Sequence, residues 1–303
     1  MRRCRLKVME GSDPHFLHTQ KALQAVLQPP IDGARALTWL GSKELLLVAT
    51  SDGQLIEVDP VYGTRKLSGA VTDPACLSSS PDGKHVIVVE RGQGVAVHET
   101  RRGERQAEFE IPLLSDVAVN WLPRPGGQLG FVVTGQTLDG RVALISELTL
   151  GRRKRVRLPK QTVIGLGANG QVVSARMYSD GLRTVAFGKP LPMGEVSAHR
   201  LRYAGPGLLL GLAEGGLTVW KGAESQTIMS FEITAGAVHH SGEVVALGTR
   251  SGDVAFAALH DGTVKRARPG KVSGHEGPVQ QICFSRAGPW IASSAKGVRL
   301  WRW

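Results

Sequence analysis

Residues 274–303 read GHEGPVQQICFSRAGPWIASSAKGVRLWRW, and this stretch decides how the whole chain is interpreted. Gly274-His275 opens it, Gly288 and Gly297 mark two turns, and Trp301 ends its last apolar run. Short apolar runs that are separated by glycine turns predict consecutive antiparallel β-strands.

The turns of this stretch recur at a regular interval along the chain. Ser80–Gly83 matches the turn Ser285–Gly288, and Leu217–Trp220 matches the strand that ends at Trp301. The corresponding turn glycines are Gly53, Gly94, Gly140, Gly181, Gly216, Gly252 and Gly297. They span 244 residues in six intervals, a mean spacing of about 41. Seven turns at this spacing predict seven repeats.

Each repeat is interpreted as four short strands, and the first repeat shows the pattern. Its predicted strands are Ala34–Leu40, Glu44–Thr50, Gln54–Asp59 and Thr64–Ser68. The unbroken apolar run LLLVAT in the second strand is typical of a strand that is covered on both faces. A sheet with two apolar faces cannot bury them alone, so neighbouring repeats are expected to stack.

The last repeat resembles a WD repeat. The GH dipeptide, the FSxxG turn, the IASS strand and the VRLW ending stand in the family's order, and Arg302 stands where the family usually has Asp. The resemblance implies one all-β domain over residues 1–303, a seven-bladed β-propeller. It also implies a structural hydrogen-bond network formed by His275, Ser294 and Trp301, which lacks its acidic member at Ala295-Lys296.

The N-terminal residues are expected to close the ring by joining the C-terminal blade, as WD-repeat propellers usually do. Arg2–Val8 alternates basic and apolar residues with the two-residue period of a strand, and is predicted to be the closing strand. Residues 9–30 then connect it to the first blade. Asp13-Pro14 and Pro29-Pro30 bracket an apolar face there, which predicts a short helix at about 13–27. Such a helix either covers the core or contacts a partner.

The chain is basic, with a net charge of +11 and a pI near 10.0. This charge favours an acidic partner or serves only to solubilise the surface. Basic groups at 65–66, 101–105, 152–157 and 265–268 are all predicted to lie in the last strand of a repeat or in the turn before it. The candidate residues for binding a partner or polyanion are Arg101, Arg102, Arg152, Arg153, Lys154, Arg155, Arg157, Lys265 and Arg266.

Motifs for catalysis, cofactors and metals are weak. Gly165–Gly170 reads GxGxxG, but no amphipathic helix follows, so we interpret it as a turn between strands. His15 with His18 and the pair His239-His240 lack further ligands at a metal-binding spacing. We therefore predict no catalytic residue, no cofactor and no metal site, and no apolar stretch is long enough for a transmembrane helix.

Two functions fit these observations. The first is a non-catalytic scaffold for protein–protein interaction that is a subunit of a larger assembly. The second is binding of nucleic acid or another polyanion through the basic rim. Cys4, Cys76 and Cys283 are distant and odd in number, which suits a reducing compartment and predicts a cytoplasmic protein.

Overall fold

The structure is a computed structural model with side chains. It describes residues 24–26, 31–41, 43–123, 129–147, 153–157, 162–167, 172–178, 181–186, 189–193, 200–205, 208–213, 216–221, 224–229, 233–239, 244–260, 263–265, 272–273 and 275–302. The regular elements of this part of the chain are all β-strands, which confirms the predicted all-β class.

The first three sheets each contain four consecutive antiparallel strands. Sheet A consists of β2 Ala34–Trp39, β3 Leu46–Thr50, β4 Gln54–Asp59 and β5 Gly63–Ala70. Sheet B consists of β6 Pro74–Ser79, β7 His85–Glu90, β8 Gly94–Glu99 and β9 Arg105–Glu110. Sheet C consists of β10 Ser115–Pro123, β11 Leu129–Thr137, β12 Gly140–Glu147 and β13 Arg153–Arg157.

The next sheet, sheet D, has eight strands in two antiparallel halves. Its first half consists of β14 Thr162–Gly167, β15 Val172–Tyr178, β16 Gly181–Ala186 and β17 Lys189–Met193. Its second half consists of β18 Arg200–Gly205, β19 Leu208–Ala213, β20 Gly216–Lys221 and β21 Glu224–Met229. The first strands of the halves, β14 and β18, join them by parallel pairing.

The last two sheets complete the described strands. Sheet E consists of β22 Ile233–Val238, β23 Val244–Thr249, β24 Asp253–His260 and β25 Thr263–Lys265, with β26 Val272–Ser273 also paired to β24. Sheet F consists of β27 Gln281–Phe284, β28 Trp290–Ser294, β29 Val298–Arg302 and the N-terminal β1 Gln24–Val26.

The strand that completes sheet F differs from the predicted one. β1 pairs antiparallel with Leu300–Arg302 at the outer edge of the sheet, so the prediction that Arg2–Val8 is this strand is wrong. The predicted helix at 13–27 is wrong over Gln24–Val26, and the rest of it and Arg2–Val8 lie outside the described residues. A free edge of β29 would leave N–H and C=O groups unpaired, and pairing them outweighs the weak helical periodicity of a short segment.

The second strands of sheets A, B, E and F are buried almost throughout, as the run LLLVAT predicted for sheet A. In β3, Leu46 and Val48 pack against sheet F, whereas Leu47 and Ala49 pack against sheet B. Further apolar clusters lie between sheets B and C and between sheets E and F. The core therefore consists of layers between successive sheets.

The seams between sheets are built alike. The first strands lie side by side, and indole N–H groups cross between them: Trp121 Nε1 donates to the Ser78 carbonyl and Trp39 Nε1 to the Cys283 carbonyl, each at 3.1 Å. The turn between the second and third strands also bonds to the linker into the next sheet. These bonds join Val71 N to Gly53 O, Gly92 N to Leu113 O, His275 N to Gly252 O and Gly33 N to Lys296 O.

Candidate partner-binding surfaces

The predicted basic residues that the structure describes lie in the outermost strand of a sheet or in the turn before it. The described ones are Arg101 and Arg102 between β8 and β9, Arg153, Lys154, Arg155 and Arg157 in β13, and Lys265 at the end of β25. Arg152 and Arg266 lie outside the described residues. The structure thus distributes these residues over at least three sheets instead of gathering them at one point.

The turn between β8 and β9 packs against β5 and brings basic residues of two sheets together. The Arg102 carbonyl accepts a hydrogen bond from Ser68 N at 3.1 Å and another from the Ser68 hydroxyl. The Arg65 guanidinium approaches the Arg101 carbonyl to 3.5 Å. Arg65, Arg101 and Arg102 therefore belong to one continuous surface across sheets A and B.

Two large apolar side chains stand at the edge of that surface, in the turn between β4 and β5. Val61 is 72% exposed and Tyr62 is 90% exposed. The Asp59 carboxylate accepts hydrogen bonds from Val61 N at 2.8 Å and from Tyr62 N at 3.0 Å, which fixes the turn. Lys66 pairs with Ile56, which packs against sheet F, so Lys66 lies on the other face of sheet A. We call the group Val61, Tyr62, Arg65, Arg101 and Arg102 the tyrosine–arginine surface.

The other pair of exposed apolar residues lies in sheet C. Leu138 is 90% exposed in the turn between β11 and β12, and Leu114 is 36% exposed just before β10. Leu114 N donates to the carbonyl of Gln136 at 2.7 Å, which holds the two leucines at the same end of the sheet. Antiparallel strands place this end opposite to the turn between third and fourth strands. We call Leu114 and Leu138 the leucine surface.

A buried hydrogen-bond network in sheet F differs from the predicted one by one residue. Ser293 Oγ lies 2.7 Å from His275 Nε2 and accepts a hydrogen bond from Trp301 Nε1 at 2.9 Å. The prediction that Ser294 is the serine of this network is wrong. Trp301 is paired with Ile291, so it shares a face with Ser293, two residues on, whereas Ser294 belongs to the other face.

Comparison with known proteins agrees with this geometry. Residues 268–302 match the family model described as "WD domain, G-beta repeat". The crystal structure of the β-propeller domain of Cps50 (Swd1) from Myceliophteria thermophila is similar, with a TM-score of 0.73 and 15% sequence identity, over 93% of this chain and 99% of that one. The fold is a β-propeller, and its last repeat is a WD repeat. No curated protein sequence matches the chain.

The two serines of the WD repeat give a direct test of the network. Ser293→Ala is expected to lower the free energy of unfolding by about 1–3 kcal/mol, because it leaves the buried Trp301 N–H without an acceptor. Ser294→Ala is expected to change it by less than about 0.5 kcal/mol, since the Ser294 hydroxyl is buried without a hydrogen-bond partner. Urea unfolding midpoints of the two variants measure the difference. Equal midpoints would contradict the assignment.

The WD-repeat histidine should also make stability depend on pH. Burial and the nearby Arg299 lower the pKa of His275 from 6.5 to about 4. Because the folded-state pKa lies below the unfolded one, its stabilising effect is complete above about pH 6.5 and is lost as the pH falls towards 4. The urea midpoint of the wild type should fall over this range, and that of His275→Gln should fall less. Parallel curves for the two proteins would show that His275 does not titrate with unfolding.

Sequence reasoning missed a buried ion pair in the second blade of the propeller. Glu90 ends β7 with its side chain 1% exposed, and Arg105 Nη2 contacts both of its carboxylate oxygens, at 2.8 and 3.1 Å. Thr72 N donates to the same carboxylate at 2.7 Å. The signal in the sequence is Glu90, the one acidic residue of the apolar run HVIVVE. A carboxylate in a buried strand requires a partner for its charge.

The GxGxxG motif lies within antiparallel strands of the propeller. Gly165 and Gly167 are in β14, and β15 begins at Val172 and pairs back along it. A dinucleotide site needs this motif to open a helix, whereas a strand begins two residues after Gly170, the last residue of the motif. Residues 168–170 of the motif lie outside the described residues. Among the described residues, no group of three or more His, Cys, Asp or Glu could hold a metal ion, and no helix could cross a membrane.

Proposed function

We propose that the chain is a non-catalytic scaffold that binds protein partners through its turns and is a subunit of a larger, cytoplasmic assembly. One observation carries the proposal: the exposed large apolar residues of the described chain form two pairs, in turns at opposite ends of the sheets. Exposure of apolar side chains to water is unfavourable in free energy. Clusters of exposed apolar residues therefore mark interaction sites. Tyr and Arg are also enriched among the residues that dominate binding energy.

The scaffold is proposed to have seven blades. Sheets A, B, C, E and F would each be one blade, and the two halves of sheet D would be two more. The parallel pairing of β14 and β18 supports this division, because first strands also lie side by side at the other seams. The regular spacing of the turn glycines supports it independently.

The ring is proposed to close between sheets F and A. Gly33 N donates to Lys296 O at 3.2 Å, the same type of bond that joins Gly252 to His275 at another seam. The Gln281 side chain adds two bonds to the backbone of Leu37, at 2.9 and 3.1 Å. A closed ring leaves only short sheet edges in contact with water, which suits a rigid platform.

Affinity purification of the tagged chain from its native host, with and without nuclease treatment, tests the scaffold function. Proteins that co-purify in fixed proportion after nuclease treatment are expected. A chain that elutes alone, or whose partners disappear with nuclease, would contradict the proposal.

Binding to a polyanion through β13 is the second candidate function. The five residues of this outermost strand include Arg153, Lys154, Arg155 and Arg157. In the register they stand opposite Val142, Leu144, Ile145 and Ser146, none of which is charged. No residue directly opposite one of these four basic residues therefore carries a compensating charge.

Replacing Arg152, Arg153, Lys154, Arg155 and Arg157 together with Gln tests this candidate. If β13 binds duplex nucleic acid, the slope of log affinity against log salt should flatten by about 0.9 for each phosphate that the variant no longer neutralises. Fluorescence anisotropy with a labelled duplex over a series of salt concentrations measures the slope. Arg91→Gln, in the turn between β7 and β8 of sheet B, is the control. An unchanged slope would exclude this strand as a polyanion site.

A further inference from the structure

We propose that the tyrosine–arginine surface binds an acidic peptide segment of a protein partner that carries an apolar anchor residue. This inference rests on the proposed scaffold function and names the chemistry of one partner. The exposed Val61 and Tyr62 lie in the turn that leads into β5, and Arg65 of β5 contacts the turn that carries the exposed Arg101 and Arg102. The surface therefore combines a candidate anchor site with cations of the neighbouring sheet.

The backbone under this surface is fixed before any partner arrives. The Glu99 carboxylate accepts hydrogen bonds from Arg101 N at 3.0 Å and from Arg102 N at 2.9 Å. Beneath the turn, the buried His98 lies with its Nδ1 2.8 Å from the Gly103 carbonyl. Together with the Asp59 turn and the Ser68 bonds to Arg102, these contacts leave little backbone entropy to lose on binding.

Two carboxylates at this surface are engaged by the backbone of their own turns, whereas its arginines differ in how closely they are paired. Asp59 and Glu99 direct carboxylate oxygens to backbone N–H groups of their own turns. Arg65 pairs with Glu57 at 2.9 Å, whereas Arg102 is only loosely paired with Glu104, at 3.6 Å, and is 70% exposed. In the described chain, no carboxylate lies within ion-pair distance of Arg101, so Arg101 can pair with a carboxylate of a partner.

The same arrangement favours an acidic peptide over nucleic acid. Duplex DNA carries one negative charge for about every 1.7 Å of its axis, so its phosphates would meet Glu57, Glu104 and the other carboxylates of the surface as well as its cations. A peptide places fewer charges and spaces them apart from an apolar side chain. Val61 and Tyr62 can bury that side chain, whereas a phosphate backbone offers them no apolar group.

Fluorescence anisotropy with the full-length chain tests the proposal. The probe is a short fluorescein-labelled peptide of glutamates around one central phenylalanine, and its match has glutamines around the same phenylalanine. We expect saturable binding of the acidic peptide and at least about tenfold weaker binding of the glutamine peptide. Tyr62→Ala and Arg101→Glu should each weaken acidic-peptide binding by about tenfold, because truncation of interface Tyr and Arg residues has effects of this size.

Two matched variants at the opposite end of the sheets serve as controls. Leu138 is as exposed as Tyr62, at 90%, and the Arg91 side chain is 51% exposed. Leu138→Ala and Arg91→Glu should leave acidic-peptide affinity within about twofold of the wild type. The proposal is overturned by absence of saturable binding, by equal losses in the control variants, or by duplex DNA that binds more tightly than the peptide and loses affinity in Arg101→Glu.

A further purification separates this proposal from the scaffold function. The Tyr62→Ala/Arg101→Glu double variant should lose at least one of the partners that wild type retains after nuclease treatment. Retention of every partner would overturn the assignment of this surface while leaving the scaffold function intact.

Discussion

Phe131→Ala is expected to lower the free energy of unfolding by about 4 kcal/mol, the largest effect that we predict for one substitution. The Phe131 side chain is completely buried between sheets B and C. Its ring meets the rings of Phe109 and Trp121 edge-on, with centroids 5.5 and 5.9 Å apart. Truncation would remove both ring pairs and open a cavity between two blades, because neighbouring strands cannot collapse into it.

The control for Phe131→Ala lies in the same sheet. Leu138 is 90% exposed, so Leu138→Ala should change the free energy of unfolding by less than about 0.5 kcal/mol. Urea unfolding gives both values, provided that the dependence of the unfolding free energy on urea concentration is the same for the two variants. Comparable midpoints for the two variants would mean that the apolar layer between sheets B and C does not contribute to the free energy of unfolding as predicted.

Arg105→Ala is expected to cost about 3 kcal/mol, because it leaves the buried Glu90 carboxylate without its counterion. The exposed fractions of the two side chains are 1% for Glu90 and 33% for Arg105, and water can partly replace the arginine, so we choose the lower end of the range for broken buried pairs. The loss should be measured as the shift of the urea midpoint at neutral pH.

Two further variants isolate the cause of that loss. Arg65→Ala removes an arginine that is 56% exposed and paired with Glu57, and should cost no more than about 1 kcal/mol. Adding Glu90→Gln to Arg105→Ala should recover part of the loss, since a neutral amide is less costly to bury than a carboxylate. If the double variant were less stable than Arg105→Ala alone, the isolated charge would not be the cause.

The layered β architecture was predictable because it depends on local patterns. Alternation inside β3 sends Leu46 and Val48 to one neighbouring sheet and Leu47 and Ala49 to the other, and the sequence shows both sets as one apolar run. The WD repeat was predictable in the same way, since its turns and apolar runs lie within about thirty residues.

One error arose where distant residues decide the outcome. Gln24–Val26 forms a strand because it pairs with Leu300–Arg302, and no local signal in three residues indicates that pairing. The sequence alone is sufficient to choose Ser293 over Ser294 as the serine of the network. The turn Ala295–Gly297 sets which residues oppose each other in β28 and β29, and the two-residue period then places Ser293 beside Trp301.

The candidate surfaces were only partly predictable. The basic residues could be assigned to outer strands and turns from their position in the repeat. The grouping of Tyr62 with Arg101 depends on how the turn after β8 packs against β5, a contact between residues of different sheets. Residues at the tips of turns show no sequence periodicity, so the sequence does not distinguish an exposed residue that binds a partner from one that does not.

The seam between sheets F and A has a further consequence for the order in which the molecule opens. Leu37 and Gln281 are 244 residues apart, whereas Trp121 and Ser78, at the seam between sheets B and C, are 43 apart. In a flexible, unfolded chain loop-closure entropy grows as (3/2)RT ln n, so joining the more distant pair from the unfolded state costs about 1.5 kcal/mol more. Pairing of β1 with β29 incurs that cost once for all the contacts of the seam, because β1 lies only a few residues before sheet A. The pairing of β1 with β29 and the seam between sheets F and A should therefore separate together, and their amide hydrogens should exchange before those between sheets B and C.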